Sequence, residues 1–582
     1  MKIQVTPSQN RKIQENKVAK NPSFKGAAGV VAQQALNFLD TNQAWGANFV
    51  DLAFMVTPRI AVDSTRGPEA GLETARREAS GTTNHSFVGA YGLGAAYLLA
   101  QPLNKKFDVK VHNTFASNNI VDILGQNWHS NAKRPNVDNT LTRFLVKTIG
   151  DVKGFNPSHK DQVGGWVNVD KNAKKDAIRK FHEVIKDAVA AEAKDGKQVK
   201  LTDDAKSYLK TIMGSSIQSE NKFTLDFAKG SEKEVLSIDT FIDNVYKMSK
   251  TFMKEKVGAE FADKASLADN TFIKGLKNLN TKTSLLGLGV ATAIGCSIQP
   301  FNMYLTKKKT GKSGFIGGNG EDRKPDHSAK FKLMKAGATA TFAGIVLATI
   351  GSPKKILQKI QYQGFTPTLN QFKLVYGMTI MSRFAVARDK DELREATTKD
   401  TLGFLNWMVL GSFVKTGVAA AFEKHAKLGD FLRYHEAEQG KGLFKKITKS
   451  ELISRSEVSF SALKELGISA VQDGKALSFK EMVNKISEVA KKAALSPTEM
   501  ADELRIAKGA LKKIKLLGVA QVAGYAYSGL VLGLGIPKLN IAITNHLDKK
   551  RQAKKAELSH NTVNETFLSG KNQKTAFSQV AS

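Results

Sequence analysis

The chain has 582 residues, 41 % of them apolar, with 87 Lys and Arg against 54 Asp and Glu, a formal net charge of +33. Such a length suits several ordinary domains, or one membrane core with additions. The basic excess favours anionic partners without choosing among phospholipid, nucleic acid and acidic protein, and the single cysteine, Cys296, excludes an intramolecular disulfide.

Residues 1–27 are polar and basic, with no apolar stretch of the kind a cleavable secretory signal needs. They read as disordered. Residues 28–103 form a first apolar helical part. It holds "WGANFVDLAFMV" (45–56), a charged stretch at 58–81, and "NHSFVGAYGLGAAYLLAQPL" (84–103). A soluble helical insert follows over 104–280. In "KKDAIRKFHEVIKDAVAAEA", the spacing of Ile178, Phe181, Ile185 and Val189 predicts one apolar helix face.

A central apolar core spans 281–423. Its runs are "TSLLGLGVATAIGCSIQPFNMYL" (283–305), "AGATATFAGIVLATIG" (336–351), "FKLVYGMTIMS" (372–382) and "TLGFLNWMVLGSF" (401–413). Cys296 sits in the first of these and reads as a packing residue, not a nucleophile. Between the last two lies "RDKDELREATTKD" (388–400), with four basic and five acidic residues. Its spacing predicts a helix with Arg388–Glu392 and Asp391–Arg394 pairs, and Glu73–Arg77 predicts the same near residue 75. The first reading of segment 388–400 is a solvated connector that neutralises itself.

A second soluble helical insert spans 424–512. Ser478 with Glu481, and Ser496 with Glu499, have capping-box spacing. Residues 513–547 hold a last apolar helix, and 548–582 a basic tail expected to be disordered.

About 20 apolar helical residues cross a bilayer core. Three runs meet that length without a charge: 84–103, 283–305 and 516–537. Run 336–351 is flanked by basic loops on both sides, so the positive-inside rule fixes no orientation. It is expected to be re-entrant, or to have one flank against protein. Glycine inside these runs is costly in a water-exposed helix but lets helices approach closely in lipid. The expected fold is mainly α: a multi-pass helical membrane core with two soluble helical inserts. A mean hydropathy of -0.27 is low for such a core, because long polar stretches dilute the average.

The sequence also echoes itself. "RIAV" at Arg59 matches "RFAV" at Arg383, and a further basic residue follows each, Arg66 or Arg388. Then Arg77-Glu78-Ala79 matches Arg394-Glu395-Ala396. Asn302 and Thr306 match Asn540 and Thr544 at the ends of later apolar runs. The order agrees, but the spacings differ, so an internal duplication and chance similarity both stand. Arg59, Arg383, Arg77, Glu78, Arg394 and Glu395 are the candidate site residues. Their guanidinium groups suit a lipid phosphate or a carboxylate of the opposite half.

"SIQPFNMYLTKKKTGKSGFIG" and "SRFAVARDKDELREATTKDTLGFLNW", with "NPSFKG" near the start, resemble uncharacterised bacterial proteins with multiple apolar helices. The resemblance implies a multi-helix membrane protein and carries no activity, cofactor or catalytic residue.

Other motifs point nowhere specific. "TGKSG" (310–314) lacks the first glycine of a phosphate loop, where Thr306 stands instead. His182 and His435 each precede a Glu, but neither has the second His of a zinc helix. Nothing supports a hydrolase, a metal or a cofactor. The expected function is an integral membrane protein, structural, scaffolding or transport-related, with basic loops on anionic lipid. The alternative is a soluble basic helical protein that binds nucleic acid or another protein. Nucleic acid is the less favoured partner, because aromatics gather in the apolar runs and do not alternate with Lys and Arg.

Overall fold

The structure is a computed structural model. It describes residues 24–41, 43–112, 116–131, 137–150, 152–154, 169–195, 201–213, 223–227, 230–234, 238–263, 267–311, 325–351, 356–365, 367–427, 431–434, 450–554 and 556–557. Those residues are mainly helical. The disorder expected at 1–27 and 548–582 falls largely outside them, at 1–23 and 558–582. Where it falls inside, it is corrected: residues 24–27 and 548–554 are helical.

Helix α1 (Phe24–Thr41) leads to α2 (Gln43–Val50), a π-helical segment (Asp51–Val56) and α3 (Thr57–Ser64). Gly67, at φ 135, makes the reversal into α4 (Pro68–Ser86). Proline at the first position of α4 loses no internal hydrogen bond. A break at Phe87 separates α4 from α5 (Val88–Leu99), and another at Ala100 precedes α6 (Gln101–Phe107). Run 84–103 is therefore not one unbroken helix.

The first insert contains α7 (Asn118–Asn131), α8 (Val137–Gly150), α9 (Lys171–Asp195), α10 (Asp203–Met213), α11 (Ile238–Phe252) and α12 (Glu255–Asp263). A small antiparallel sheet, β1 (Val152–Gly154), β2 (Phe223–Phe227) and β3 (Gly230–Glu234), joins them in that order. Phe181 and Ile185 of α9 are fully buried with Phe144, Phe241 and Phe252, while Ile178 and Val189 pack at the margin. Helix α13 (Thr271–Thr310) starts in this core and continues well beyond it.

The second half is helical as well. Helices α14 (Ala329–Ile350), α15 (Ile356–Lys359) and α16 (Leu369–Val386) come first. Then α17 (Lys390–Leu405), a π-helical segment (Asn406–Leu410) and α18 (Gly411–His425) form one rod. The second insert holds the hairpins β4 (Arg433–Tyr434) with β5 (Glu451–Leu452), and β6 (Val471–Gln472) with β7 (Lys475–Ala476). It also holds α19 (Arg455–Glu465) and α20 (Phe479–Leu495). Ser478 and Glu481 form the expected capping box, and the Ser478 amide and hydroxyl lower the Glu481 carboxyl below its ordinary range. The Ser496–Glu499 box does not form, because the last helix, α21 (Ala501–Lys554), starts only at Ala501.

Contacts along the helices fix their directions. Asn48 meets Ser86, and Arg59 meets Glu78, so α2–α3 runs antiparallel to α4. Asn302 meets Ser80 while Gly287 lies against Gly92, so α13 is antiparallel to α4–α5. In the second half, Asn540 meets Glu395 and Gly524 meets Lys415, so α21 is antiparallel to α17–α18. Across the halves, Ser284 bonds Tyr362 and Gly295 lies against Thr379 and Ser382, so α16 runs with α13. Gly529 lies on Phe54 and Gly533 on Pro58, so α21 runs with α2–α3. Both inserts therefore leave the core at the same end.

Three helices among the described residues are long and apolar enough to cross a membrane: Thr271–Thr310, Ala329–Ile350 and Ala501–Lys554. The second corrects the re-entrant reading of run 336–351, because α14 is continuous over 22 residues. It buries one stripe, Phe331, Phe342, Val346 and Ile350, mainly against α16. Leu333 (75 % exposed), Met334 and Leu347 face outward. Phe301, Tyr304, Leu530 and Leu539 are likewise exposed on α13 and α21.

Close approach rests on glycine at specific points. A Cβ on Gly92 would stand 2.4 Å from the Tyr362 ring, whereas a Cβ on Gly94 would meet nothing within 4 Å. Gly92→Val is expected to cost about 1–3 kcal/mol through overpacking. Gly94→Ala is expected to be neutral or to gain up to about 1 kcal/mol of helix propensity. Denaturant unfolding of both purified variants checks the contrast.

Candidate functional site

The reversals after α3 and α16 bring two short charged segments face to face. The second begins with Asp389, whose carboxylate accepts from the amides of Asp391 and Glu392 and so starts α17. That cap fixes which face of α17 looks inward. Asp391, Glu392, Leu393 and Asp400 are buried. The solvated-connector reading of 388–400 is thus corrected: α17 packs between α16, α4 and α21.

Four charges form the centre. Arg383 Nη1 donates to both Asp400 oxygens at 3.1 Å, and its Nη2 donates to Glu78 Oε2 at 3.4 Å. Arg59 Nη1 donates to Glu78 Oε2 at 3.4 Å and lies 3.9 Å from Asp400. Arg59 and Asp400 are each only 1 % exposed. Each arginine thus faces the carboxylate of its own half and that of the other half. Buried charge survives only with such pairing.

A second tier is reciprocal as well. Arg66 of the first half holds Glu395 of the second with two bonds, 3.0 and 3.2 Å. Arg388 of the second half reaches Glu73 of the first at 3.3 Å and holds Glu392 at 2.9 Å. Two parallel guanidinium–carboxylate bonds fix orientation as well as distance. Arg77 lies 3.4 Å from Glu78 and 4.0 Å from Asp63, and Lys399 lies 3.9 Å from Glu78. Thr74 donates to Asp63 at 2.6 Å.

The long helices close the flanks. Arg76 donates to Thr306 of α13 at 2.9 Å, and Arg394 donates to Thr544 of α21 at 2.6 Å. Thr544 in turn donates to Glu395. Arg551 pairs with Asp391.

The structure brings Arg59, Arg383, Glu78, Arg77 and Glu395 into one network. Arg394 lies at its edge, bound to Thr544 and Asp391. Neither Arg59 nor Arg383 faces solvent. The expected Arg388–Glu392 and Asp391–Arg394 pairs form within α17. The expected Glu73–Arg77 pair gives way to Glu73–Arg388, which crosses the halves.

Sequence matching on the Arg-Glu-Ala string missed Asp400, Lys399 and the role of Glu73. A better signal was available in the spacing. Glu73, Arg77 and Glu78 stand 7, 11 and 12 residues after Arg66; Glu395, Lys399 and Asp400 stand 7, 11 and 12 after Arg388. The charge signs agree throughout, although the residue types differ.

A cavity of about 60 Å³ opens between these tiers, enough for several waters. Arg66, Glu73, Arg77, Gln299, Arg383, Glu395, Lys399, Asp400 and Asn540 are among the residues that line it. Its lining is charged and mixed in sign, which suits binding of a polar occupant. His182 bonds Thr142 inside the first insert. His435 and most of the basic loop at 310–314 lie outside the described residues. Among the described residues no group of His, Cys, Asp and Glu is placed to hold a metal ion.

No family model, curated protein or solved structure shows a significant match to the chain.

Removing Arg383 leaves the buried Asp400 with only the 3.9 Å contact to Arg59 and takes one of its four cations from Glu78. Arg383→Met is expected to destabilise the protein by about 3–5 kcal/mol. Adding Asp400→Asn to that variant is expected to recover part of the loss. Additive costs in a denaturant double-mutant cycle would show that the pair is not coupled.

Proposed function

We propose that the chain is a multi-pass integral membrane protein made of two fused helical repeats, and that its central cavity serves a transport-related role for a small polar solute. The observation that carries this reading is the reciprocal pairing around the cavity, Arg66 with Glu395 and Arg388 with Glu73. Ionisable groups among membrane helices are costly, and they tend to mark solute paths. Many transport folds place their site where two repeats meet.

The repeats would be α1–α5 with α13, and α14–α18 with α21. The shared spacing of 7, 11 and 12 supports a common origin. The shared helix directions support repeats related by an axis along the membrane normal. The apolar exposure of α14, α13 and α21 supports lipid contact over the soluble alternative, since a water-facing surface of that kind would associate. At the end of the core opposite the inserts, Lys307, Lys308, Lys309, Lys330, Lys332 and Lys549 are exposed. That rim suits anionic headgroups. Scaffolding is the second reading, favoured by the near balance of charge in the cluster, which also fits a static clasp between halves.

Alkaline carbonate washing of membranes from expressing cells is expected to leave the chain in the pellet. Release into the supernatant would sink the membrane reading. In a Cys296→Ser background, Lys186→Cys and Lys491→Cys place exposed thiols in the first and second inserts. An impermeant maleimide is expected to label both from the same side of sealed vesicles. Labelling from opposite sides would contradict repeats of one orientation.

A further inference from the structure

We infer that Asp51 and His85 form a proton-binding site, at which the imidazole takes up and releases one proton beside the carboxylate. The site stands on the packing of α2–α4 against α16. Its use as a coupling ion rests on the transport-related reading above. The starting point is a contrast among the buried acids. Among the described residues nine carboxylates are buried. Eight of them lie within 4.0 Å of an arginine. The ninth, Asp51, faces His85 instead, with 3.2 Å between Oδ2 and Nε2. An arginine stays charged throughout, whereas an imidazole is charged only while it holds a second proton. This pair alone changes its charge with a proton.

Its surroundings supply no substitute cation. Asp51 and His85 are 2 % and 1 % exposed. Thr82 donates to Asp51 Oδ2 at 2.6 Å, and neither ring nitrogen of His85 completes a hydrogen bond. Phe372 and Tyr376 of α16 enclose the imidazole, with ring centroids 4.4 and 5.4 Å away. Helix α2 meets this level of α4 with Asn48, and α13 meets it with Ala291 and Gly295, all uncharged. The titratable group on α16 is the Tyr376 phenol, within electrostatic reach of Arg59, Glu78 and Asp400. With Arg383 those three form the central knot, where two cations already answer two carboxylates. While His85 is neutral, Asp51 is therefore a buried carboxylate with no cation in contact, which is costly. A proton delivered by hydronium adds one N–H bond to the ring, leaves water behind and makes the pair neutral. The half-buried hydroxyls of Thr82 and Ser86, one turn apart beside the pair, give that proton a polar way in.

The second half shows what packing alone requires. Gly81, Asn84 and His85 stand 3, 6 and 7 residues after Glu78; Gly403, Asn406 and Trp407 stand 3, 6 and 7 after Asp400. Trp407 packs on the same two rings, 5.2 Å from Phe372 and 5.0 Å from Tyr376. Asp51 stands eight residues before Arg59, and eight before Arg383 stands Val375. An indole and an isopropyl group thus occupy the matched positions, and packing needs neither ionisable group. Asp51 also opens a π-helical segment, a distortion frequent at functional sites. Asp and His chains inside the helical bundles of pumps and transporters carry protons.

The test uses the purified full-length chain in detergent with isotope-labelled histidine, followed by nuclear magnetic resonance over about pH 5–8, where imidazole ordinarily changes charge. The His85 signal is identified as the one missing from His85→Trp. In the folded wild type it is expected to move with pH in one step. Asp51→Asn is expected to weaken proton binding at His85 at least about tenfold, the effect of losing a carboxylate at ion-pair distance. Asp51→Val combined with His85→Trp copies the second half. It is expected to fold and, in a potentiometric titration, to take up one proton fewer than the wild type over the same range. A His85 signal that stays fixed overturns the inference, and so does a folded Asp51→Asn variant that titrates as the wild type does. Should Asp51→Asn not fold, equal proton uptake by the double variant and the wild type overturns it. A chain released by carbonate whose His85 titrates supports the site and removes its role as a coupling ion. A chain retained in the membrane whose His85 signal is fixed leaves the membrane reading standing and the proton site refuted.

Discussion

Arg383, Asp400, Glu78 and Arg59 meet in a knot with almost no access to solvent, and the placement of the core helices follows from it. Each charge comes from a different helix: α16, α17, α4 and α3 in turn. A buried charge without its partner costs several kcal/mol, so none of these helices can shift independently. Their relative positions then decide where the long helices fit. Helix α13 enters where Gly295 admits Thr379, and α21 enters where Gly533 admits the Phe54 carbonyl and Pro58. Even the room for Arg59 depends on a missing side chain, since a Cβ on Gly403 would stand 2.9 Å from its Nη2.

Much of this was legible in the sequence at the level of single helices. The apolar face of α9, the cap at Ser478 and the pairs inside α17 depend on residues three or four apart, and local spacing specifies them. The partner of a charged face is not local. A helix that alternates Arg and Glu looks the same whether water or another charged helix covers it. For that reason segment 388–400 read as a solvated connector, and the six proposed site residues included Arg394 but not Asp400. Run 336–351 was undervalued for a related reason. Its basic flanks and many Ala and Thr residues weaken an apolar signal, yet the helix extends to Ala329 and reaches spanning length.

The solvent on the other side of the helices is a second constraint. Helix α14 buries one narrow stripe and exposes Leu333, Met334 and Leu347. In water that surface would drive association. In hydrocarbon it costs nothing, and the backbone is satisfied within the helix. The same change of solvent alters the standing of the charged centre. Under the membrane reading proposed above, ion pairs that would be weak at a wet surface would become the main directional interactions, because apolar packing would no longer distinguish protein from solvent.

The two halves agree in charge order and helix direction, and they differ at residues that border the cavity. Lys399 stands where the first half has Arg77, a point charge in place of a planar fork. Pro537 stands where the other half has Gln299. Proline cannot donate to the helix ladder, and the π-helical segment Gly529–Gly535 directly before it opens that ladder by one residue. The helix therefore accommodates Pro537 without a sharp break and runs on to Asn540 and Thr544, which hold Glu395. The unmatched residues, Gln299 with Pro537 and Arg77 with Lys399, all border the cavity, so this asymmetry of the two halves is concentrated there and not in the ion pairs that join them.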